Sequence, residues 1–374
     1  RYESRVSVID AITDTTITTV NRGQYPVGLA CNTEDNKIYS VNFWGSNVTV
    51  IDGNNNHFLG HIPVGNGPYD ILYNPTDNKI YSLDYTNNTV TIIDAAEDTV
   101  ITTVTVGDWP WSAVHNTVDD KIYVSNYASD DISVIDGATD QVVGTIPLGN
   151  DAYPFAIAYN PQNNKLYTAN IFSSSFTIID ASADTVITTF GLAGAPYSVL
   201  YNPVHNTVYC AYISTWQDAI VVIDGTTDAV LWNCVIPSQI HGYGIDSPRE
   251  ALVYDADEDV VYLSHYSSSK ITIIDGTIGV HERSSDMLRH DMLKITPNPA
   301  VRAVTIDHTL PWSGSVSITI YDASGRYVRS LTMTSARIMW DLTDQHGAPL
   351  NAGVYLVEME TGTGPVTEKL VLLR

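Results

Sequence analysis

Basic residues are scarce. Lysine and arginine together number 18 against 42 aspartates and glutamates, a formal charge of −24 over 374 residues. So little positive charge excludes nucleic acid as a partner, because phosphate binding needs a basic face, and it argues against anionic membrane surfaces. It suits a soluble protein in an ion-rich exterior, and a solubilising role explains the charge without calcium. No apolar run approaches the ~20 residues of a transmembrane helix, so membrane insertion is not expected. No secretory leader opens the sequence either; for an exported protein the expectation is that it was removed ahead of Arg1. Cysteine is limited to Cys31, Cys210 and Cys234. No pair has metal-ligand spacing, and the strand reading below puts Cys210 and Cys234 about two strand spacings apart, too far for a disulfide. Buried free thiols are expected.

Strand formers are abundant, with 23 tyrosines and recurring Val, Ile and Thr. Asp and Asn carry much of the polarity and suit turns rather than helices. An all-β chain of many short strands follows. An apolar pair closing on aspartate recurs at Ile9-Asp10, Ile51-Asp52, Ile93-Asp94, Ile135-Asp136, Ile179-Asp180, Ile223-Asp224 and Ile274-Asp275, with spacings of 42, 42, 42, 44, 44 and 51. Each repeat reads as four strands. Strand a follows a proline and ends at Asn-Pro or its equivalent. Strand b is the Lys-Ile-Tyr segment, c the Val-x-Val-Ile-Asp segment, and d the Thr-x-Thr-Thr-Val segment. Asn74-Pro75-Thr76-Asp77-Asn78 is a tight-turn sequence, and Asp136-Gly137 turns a c–d hairpin. Four short strands per repeat of this length are the signature of a β-propeller blade.

Lys121-Ile122-Tyr123-Val124-Ser125-Asn126 followed by Ile132-Ser133-Val134-Ile135-Asp136 resembles the YVTN family of β-propeller repeats. Lys165 to Asn170 with Phe176 to Asp180 is a second copy. The resemblance covers about residues 1–279. It implies a seven-bladed propeller on a bacterial or archaeal cell surface and no common catalytic residues. Strands a, b and d occur six times and c seven times, so twenty-five strands stand three short of seven blades. The missing d, a and b belong just upstream of Arg1 if an N-terminal strand closes the ring. A six-bladed ring, or strands donated by a neighbouring chain, are the alternatives.

Residues 280–294 read as a linker, and residues 295–374 as a small immunoglobulin-like β-sandwich with strands at Val301–Asp307, Val316–Asp322 and Tyr327–Met333. Thr296-Pro297-Asn298-Pro299, Ile320-Tyr321-Asp322-Ala323-Ser324-Gly325-Arg326, Gly353-Val354-Tyr355 and Lys369-Leu370-Val371 resemble a type A sorting domain of the type IX secretion system. The immunoglobulin-like domain of flagellar hook-capping proteins shares the Trp and Gly-Val-Tyr elements. The sorting resemblance implies export, an extracellular or outer-surface location, and contact with the secretion machinery.

Aromatic residues flank the repeat proline. Tyr69, Trp111, Phe155 and Tyr197 follow it; Tyr25, Trp109 and Tyr153 precede it. Two readings stand: a platform for sugars or peptides at one mouth of the ring, or wedges that pack adjacent blades. The last two repeats carry the longest insertions, and Trp216, His241, Tyr243, Asp246, Arg249, Glu250 and His265 are expected on one rim, against a longer loop with no ligand. Asn42, Asp84, Asn126, Asn170, Tyr212 and His265 end strand b, where they read as turn caps. Two residues after the proline stand Gly28, Asp70, Ser112, Ala156, Ser198 and Glu250, a thin catalytic inventory. No catalytic residue, metal site or cofactor is assigned. Acidic turns such as Asp255 to Asp259 lack the EF-hand pattern. The expected function is a secreted or cell-surface, non-enzymatic binding or structural module for adhesion, a surface layer or a fibre. A protein or glycan would bind at the propeller face, and open strand edges would allow self-assembly. The alternative is a lactonase- or lyase-like propeller enzyme acting at the central channel.

Overall fold

The computed structural model describes residues 4–10, 15–214, 217–235, 251–265, 270–275, 293–296, 300–308, 316–322, 326–333, 337–361 and 364–373. The chain forms two units, Arg1–Glu282 and Arg283–Arg374. Among the described residues neither contains a helix, so none crosses a membrane as one.

The first unit is built of short antiparallel sheets, each from consecutive strands. β1 (Val6–Asp10) and β2 (Thr15–Val20) form a hairpin. Five four-stranded sheets follow. They are β3 (Pro26–Asn32), β4 (Lys37–Asn42), β5 (Asn47–Asp52) and β6 (Phe58–Pro63); then β7 (Pro68–Asn74), β8 (Lys79–Asp84), β9 (Thr89–Asp94) and β10 (Thr99–Thr105). Next come β11 (Pro110–Asn116), β12 (Lys121–Asn126), β13 (Asp131–Asp136) and β14 (Gln141–Pro147), and β15 (Pro154–Asn160), β16 (Lys165–Asn170), β17 (Ser175–Asp180) and β18 (Thr185–Gly191). The fifth is β19 (Ala195–Asn202), β20 (Thr207–Ser214), β21 (Gln217–Asp224) and β22 (Val230–Val235). A three-stranded sheet of β23 (Leu252–Asp255), β24 (Val260–His265) and β25 (Lys270–Asp275) ends the unit. The first strands of successive sheets pack on one another, β3 on β7, β7 on β11, β11 on β15, β15 on β19 and β19 on β23. This is the arrangement of propeller-like repeats.

Alternation along the strands buries Tyr39, Val41, Val48, Val50 and their counterparts between sheets. Polar side chains then tie one sheet to the next. The lysine that opens the second strand reaches the aspartate in the turn between the last two strands of the following sheet. The four pairs are Lys37–Asp98 at 2.9 Å, Lys79–Asp140 at 2.9 Å, Lys121–Asp184 at 2.7 Å and Lys165–Asp228 at 2.7 Å. Two residues on, the tyrosine hydroxyl joins the same turn: Tyr39 donates to Ala95 O (2.9 Å) and Asp98 Oδ1 (2.7 Å), and Tyr123 to Ala181 O (2.9 Å) and Asp184. The Lys-x-Tyr motif is therefore a clamp between neighbours.

A second belt lies at the far end of the first strands. Asn32, Asn74, Asn116 and Asn160 are fully buried. Each donates from Nδ2 to the left-handed turn residue of the next sheet: Asn78 (2.9 Å), Asp120 (3.0 Å), Asn164 (3.0 Å) and Asn206 (2.8 Å). Their own Oδ1 atoms cap the following turn, as in Thr76 N to Asn74 Oδ1 at 2.8 Å.

The residues expected to cap turns at the end of strand b do more than that. Asn42, Asn126 and Asn170 are buried. They donate to Thr49 (2.8 Å), Ser133 (2.9 Å) and Thr177 (2.9 Å) on the third strand, so they cross-link the sheet interior. Tyr212 departs from this pattern because β20 and β21 run on to Ser214↔Gln217; its hydroxyl turns to Asn233. Cys210 is a buried free thiol as expected, with β21 between its strand and that of Cys234. Cys31 is free but exposed, against expectation. With Leu29 it occupies the face of β3 opposite Gly28, which packs against Asp70 and Ile71.

The second unit has two antiparallel sheets. β26 (Leu293–Thr296), β27 (Val304–His308) and β30 (Arg337–Trp340) form one; β29 (Tyr327–Met333), β28 (Val316–Asp322), β31 (Gly353–Thr361) and β32 (Gly364–Leu372) form the other. Both contribute to one apolar cluster that includes Ile306, Ile318, Leu331, Trp340, Val357 and Leu370. Trp340 is buried and donates Nε1 to Thr343 O at 3.1 Å, so its polar atom has a partner inside the core.

Candidate ligand-binding face

Two loop sets meet at one end of the sheets in the first unit. The loop that enters each first strand is tied to the turn after the second strand of the same sheet. Phe43 N donates to Tyr25 O (3.0 Å), Tyr85 N to Gly67 O (3.1 Å), Tyr127 N to Trp109 O (2.9 Å) and Ile171 N to Tyr153 O (3.1 Å). The accepting residue in each case precedes the repeat proline and has a left-handed backbone, with φ of 61° at Tyr25, 62° at Gly67, 58° at Trp109 and 50° at Tyr153. Glycine takes this conformation without penalty. A bulky side chain there costs about 1–2 kcal/mol. Every other non-glycine residue of positive φ among the described residues of this unit is Asn, Asp or Ser, types that tolerate the region.

The strained residues are held from both sides. Trp109 N donates to Asn88 Oδ1 (3.0 Å), and Asn88 Nδ2 in turn donates to Asp108 Oδ1 (2.6 Å). Tyr153 N donates to Asp130 Oδ1 (2.8 Å), and Asp151 N to the other oxygen of that carboxylate (2.9 Å). With both the N–H and the C=O engaged, the surroundings over-determine the backbone, as strain at a functional site requires.

The side chains join in one band. Ring centroids lie 4.8 Å apart for Phe43–Trp44, 6.1 Å for Phe43–Tyr69, 4.3 Å for Tyr69–Trp111 and 5.1 Å for Trp111–Phe155. On the outer side, Tyr85–Trp109 is 5.2 Å, Trp109–Tyr127 6.1 Å, Tyr127–Tyr153 5.2 Å and Tyr153–Phe172 4.9 Å. The band crosses four sheets and has two layers. Trp111 (6% exposed), Phe155 (0%) and Tyr197 (2%) are wedges packed between sheets, where no ligand reaches them. Trp44 (69%), Trp109 (43%) and Phe172 (61%) present their rings to solvent. Burial, reinforced by Tyr85 and Tyr153, pushes the Tyr127 hydroxyl up to about 12, so it stays protonated.

The sequence reading therefore divides. Tyr69, Trp109, Trp111, Tyr153 and Phe155 come together; Tyr197 joins the same apolar cluster. Trp216, His241, Tyr243, Asp246, Arg249 and Glu250 lie outside the described residues. His265 ends β24, where its backbone pairs with Lys270. One alignment is corrected. Leu252 pairs with Leu263 as Ile71 pairs with Ser82, and Ala251 O accepts Ser264 N, so Ala251 rather than Glu250 holds the register of Asp70. An extra residue after Pro248 shifts the frame. Phe43, Trp44, Tyr85, Tyr127 and Phe172 were missed. The signal was available, since these residues stand one or two places after the aligned Asn42, Asp84, Asn126 and Asn170.

No group of three or more potential metal ligands assembles among the described residues. Asp84 is the one fully buried carboxylate among the described residues. It replaces the sibling asparagines and accepts from Thr91 (2.6 Å), Ser82 (3.1 Å) and Thr89 (3.2 Å). Burial outweighs these bonds and raises its carboxyl to about 6. Gly65 lies directly over it; a Cβ there would stand 2.6 Å from the carboxyl carbon.

Residues 294–373 match the family described as the secretion system C-terminal sorting domain. A type IX sorting domain directs its chain to the extracellular space or cell surface and implies interaction with the secretion machinery. No curated protein matches the chain. Among solved structures it is similar to a hydrazine synthase of Kuenenia stuttgartiensis, at 18% identity and TM-score 0.58, over 67% of this chain and 76% of that one. A functionally unknown protein from Desulfotomaculum acetoxidans DSM 771 gives 14% identity and TM-score 0.59, over 73% and 89%. Likeness at these identities concerns the fold alone.

Proposed function

We propose that the chain is an exported, non-enzymatic binding module. Its first unit is read as a seven-bladed YVTN-like propeller, and its second as an immunoglobulin-like sorting domain. The aromatic band is the recognition face: Trp109 and Tyr153 contact ligand beside Trp44 and Phe172, while Tyr69, Trp111, Phe155 and Tyr197 brace them from below. The observation that carries this reading is the bulky residue held in left-handed backbone at three of the loop positions. Gly67 occupies the same position without strain, so the fold itself does not require an aromatic side chain there. An enzyme reading finds less support. Asp70 has no acidic counterpart at Ala251, and no group of three or more His, Cys, Asp or Glu that could hold a metal assembles among the described residues.

Self-assembly through the edges of the four-stranded sheets finds less support, which leaves the regular edge of β25 as the place for strand addition. The outer strand of the hairpin and of each four-stranded sheet carries a bulge where it pairs inward, at Ile17, Leu59, Ile101, Val143, Ile187 and Leu231; β25, the outer strand of the three-stranded sheet, pairs without one. Bulges break the regular edge that strand addition needs.

Trp109→Gly is expected to separate stability from binding. The relief of about 1–2 kcal/mol of backbone strain offsets the loss of two ring contacts worth about 0.5–1.5 kcal/mol each. Stability by urea titration should stay within about 1 kcal/mol of wild type, while binding on a glycan and surface-protein array falls about tenfold, as in Trp44→Ala. Unchanged array binding in both variants would sink the reading.

A further inference from the structure

The loops of this face between residues 43 and 195 contain no lysine, arginine or histidine. They are 43–46, 64–67, 85–88, 106–109, 127–130, 148–153, 171–174 and 192–195. The loop that carries Tyr25 does hold Arg22, whose guanidinium lies 5.3 Å over the Phe58 ring; between the exposed rings an anionic ligand would find no cation, which disfavours phosphate, sulfate and uronate polymers. The same loops expose acceptor groups between the rings: Asn66, Asn87, Asp108, Asn150 and Asp151 are exposed. Two of the nearby carboxylates are already engaged within the loops. Asp108 accepts from the Asn88 amide, and Asp130 from the amides of Asp151 and Tyr153. Their arrangement serves the loop geometry more than the capture of a free cation.

The apolar element is also unlike the core of a protein interface. Such a core is a contiguous apolar patch inside a polar rim. Here the exposed rings belong to three different sheets, and exposed amide, hydroxyl or carboxylate groups lie between them. A matching ligand has flat C–H faces at intervals, hydroxyl donors at its edges, no charge, and enough length to cross several sheets.

We infer that the ligand of this face is a neutral polysaccharide chain, its sugar rings stacked on Trp44, Trp109 and Phe172 and its hydroxyls donating to the Asn and Asp acceptors between them. This rests on the reading of the aromatic band as the recognition face, and it adds the chemistry of what is recognised. Tyr25, Tyr85 and Tyr127 hold the exposed rings at fixed spacing. Each exposed ring has an aromatic neighbour within 6.3 Å, so little side-chain freedom is lost on binding.

The test is affinity electrophoresis of the full chain in native gels containing hydroxyethyl cellulose, laminarin, xylan or galactomannan. Gels containing alginate, and a separate titration with oligolysine followed by tryptophan fluorescence, serve as the charged comparisons. Retardation is expected in at least one neutral polymer and none in alginate. Trp44→Ala, Trp109→Ala and Phe172→Ala should each weaken it about tenfold, the value of one well-formed ring contact. Leu59→Ala, on an outer strand, should not change it. Absence of retardation in all four neutral polymers overturns the inference. If oligolysine or an arrayed protein binds instead, and the ring variants abolish that binding, the ligand class is wrong while the recognition face stands. If some neutral polymer retards the chain and all three ring variants retain full retardation, the inference and the recognition face both fall.

Discussion

Replacing Asp84 by asparagine raises the thermal midpoint of the first unit at pH 8 and changes it little at pH 4. The direction follows from burial. The carboxyl titrates near 6 in the folded chain against 3.8 when solvated. Between those values the folded state holds a proton that the unfolded state has released, so stability falls as pH rises through the window. Above about pH 7 the full penalty applies, and two pKa units correspond to about 3 kcal/mol. Asparagine removes it without removing the hydrogen bonds. Its Nδ2 takes the bond to Thr91 that Asn42 makes to Thr49 (2.8 Å) and Asn170 to Thr177 (2.9 Å). The quantity to measure is the difference between Asp84→Asn and wild type in urea unfolding, from pH 4 to 8. It should grow from about 0.5 kcal/mol at pH 4 to about 3 kcal/mol above pH 7, with half of the rise reached near pH 5, between the two pKa values. A difference independent of pH would show that Asp84 is not the group that titrates.

The repeat was legible in the sequence because its information is local. Proline, Asn-Pro turns and the Ile-Asp anchor set strand limits without reference to neighbouring sheets, and the four-strand order followed. Information that crosses between sheets was not legible. Lys37, Lys79, Lys121 and Lys165 read as the start of a strand, but their partners lie about sixty residues away in the next sheet. Asn42 and its siblings read as turn caps because a buried cross-strand amide has the same sequence signature as an exposed one. The band was half legible. Aromatics beside the proline stood out, but positive φ leaves no trace at a Tyr or Trp. Gly67 at the same position was the one residue that pointed to it. The insertions around His241 and Arg249 attracted attention through broken symmetry, while the geometry that can be built here comes from the regular repeats.

Removing the cation from one inter-sheet clamp should cost more than any other single change considered. Lys79 and Asp140 are 13% and 12% exposed, and Lys79 also donates to Gly137 O at 2.7 Å. Its ammonium stands 3.9 Å from Asp77 as well. Lys79→Met leaves Asp140 and Asp77 without the ammonium that stands beside both. Breaking a buried pair in this way costs about 3–5 kcal/mol, because an uncompensated charge is left behind. Lys121→Met is expected to cost less, since Asp184 is 28% exposed and water can take over part of the lysine's role. The double variant Lys79→Met with Asp140→Asn should recover most of the loss: Asn56 already fills the equivalent turn position between β5 and β6, with the same left-handed backbone. Urea unfolding of the two single variants and the double variant decides the matter. The clamp is the source of stability only if Lys79→Met loses more than Lys121→Met and the double variant lies close to wild type. A double variant no more stable than Lys79→Met would place the effect in the lost bond from the ammonium to Gly137 O instead.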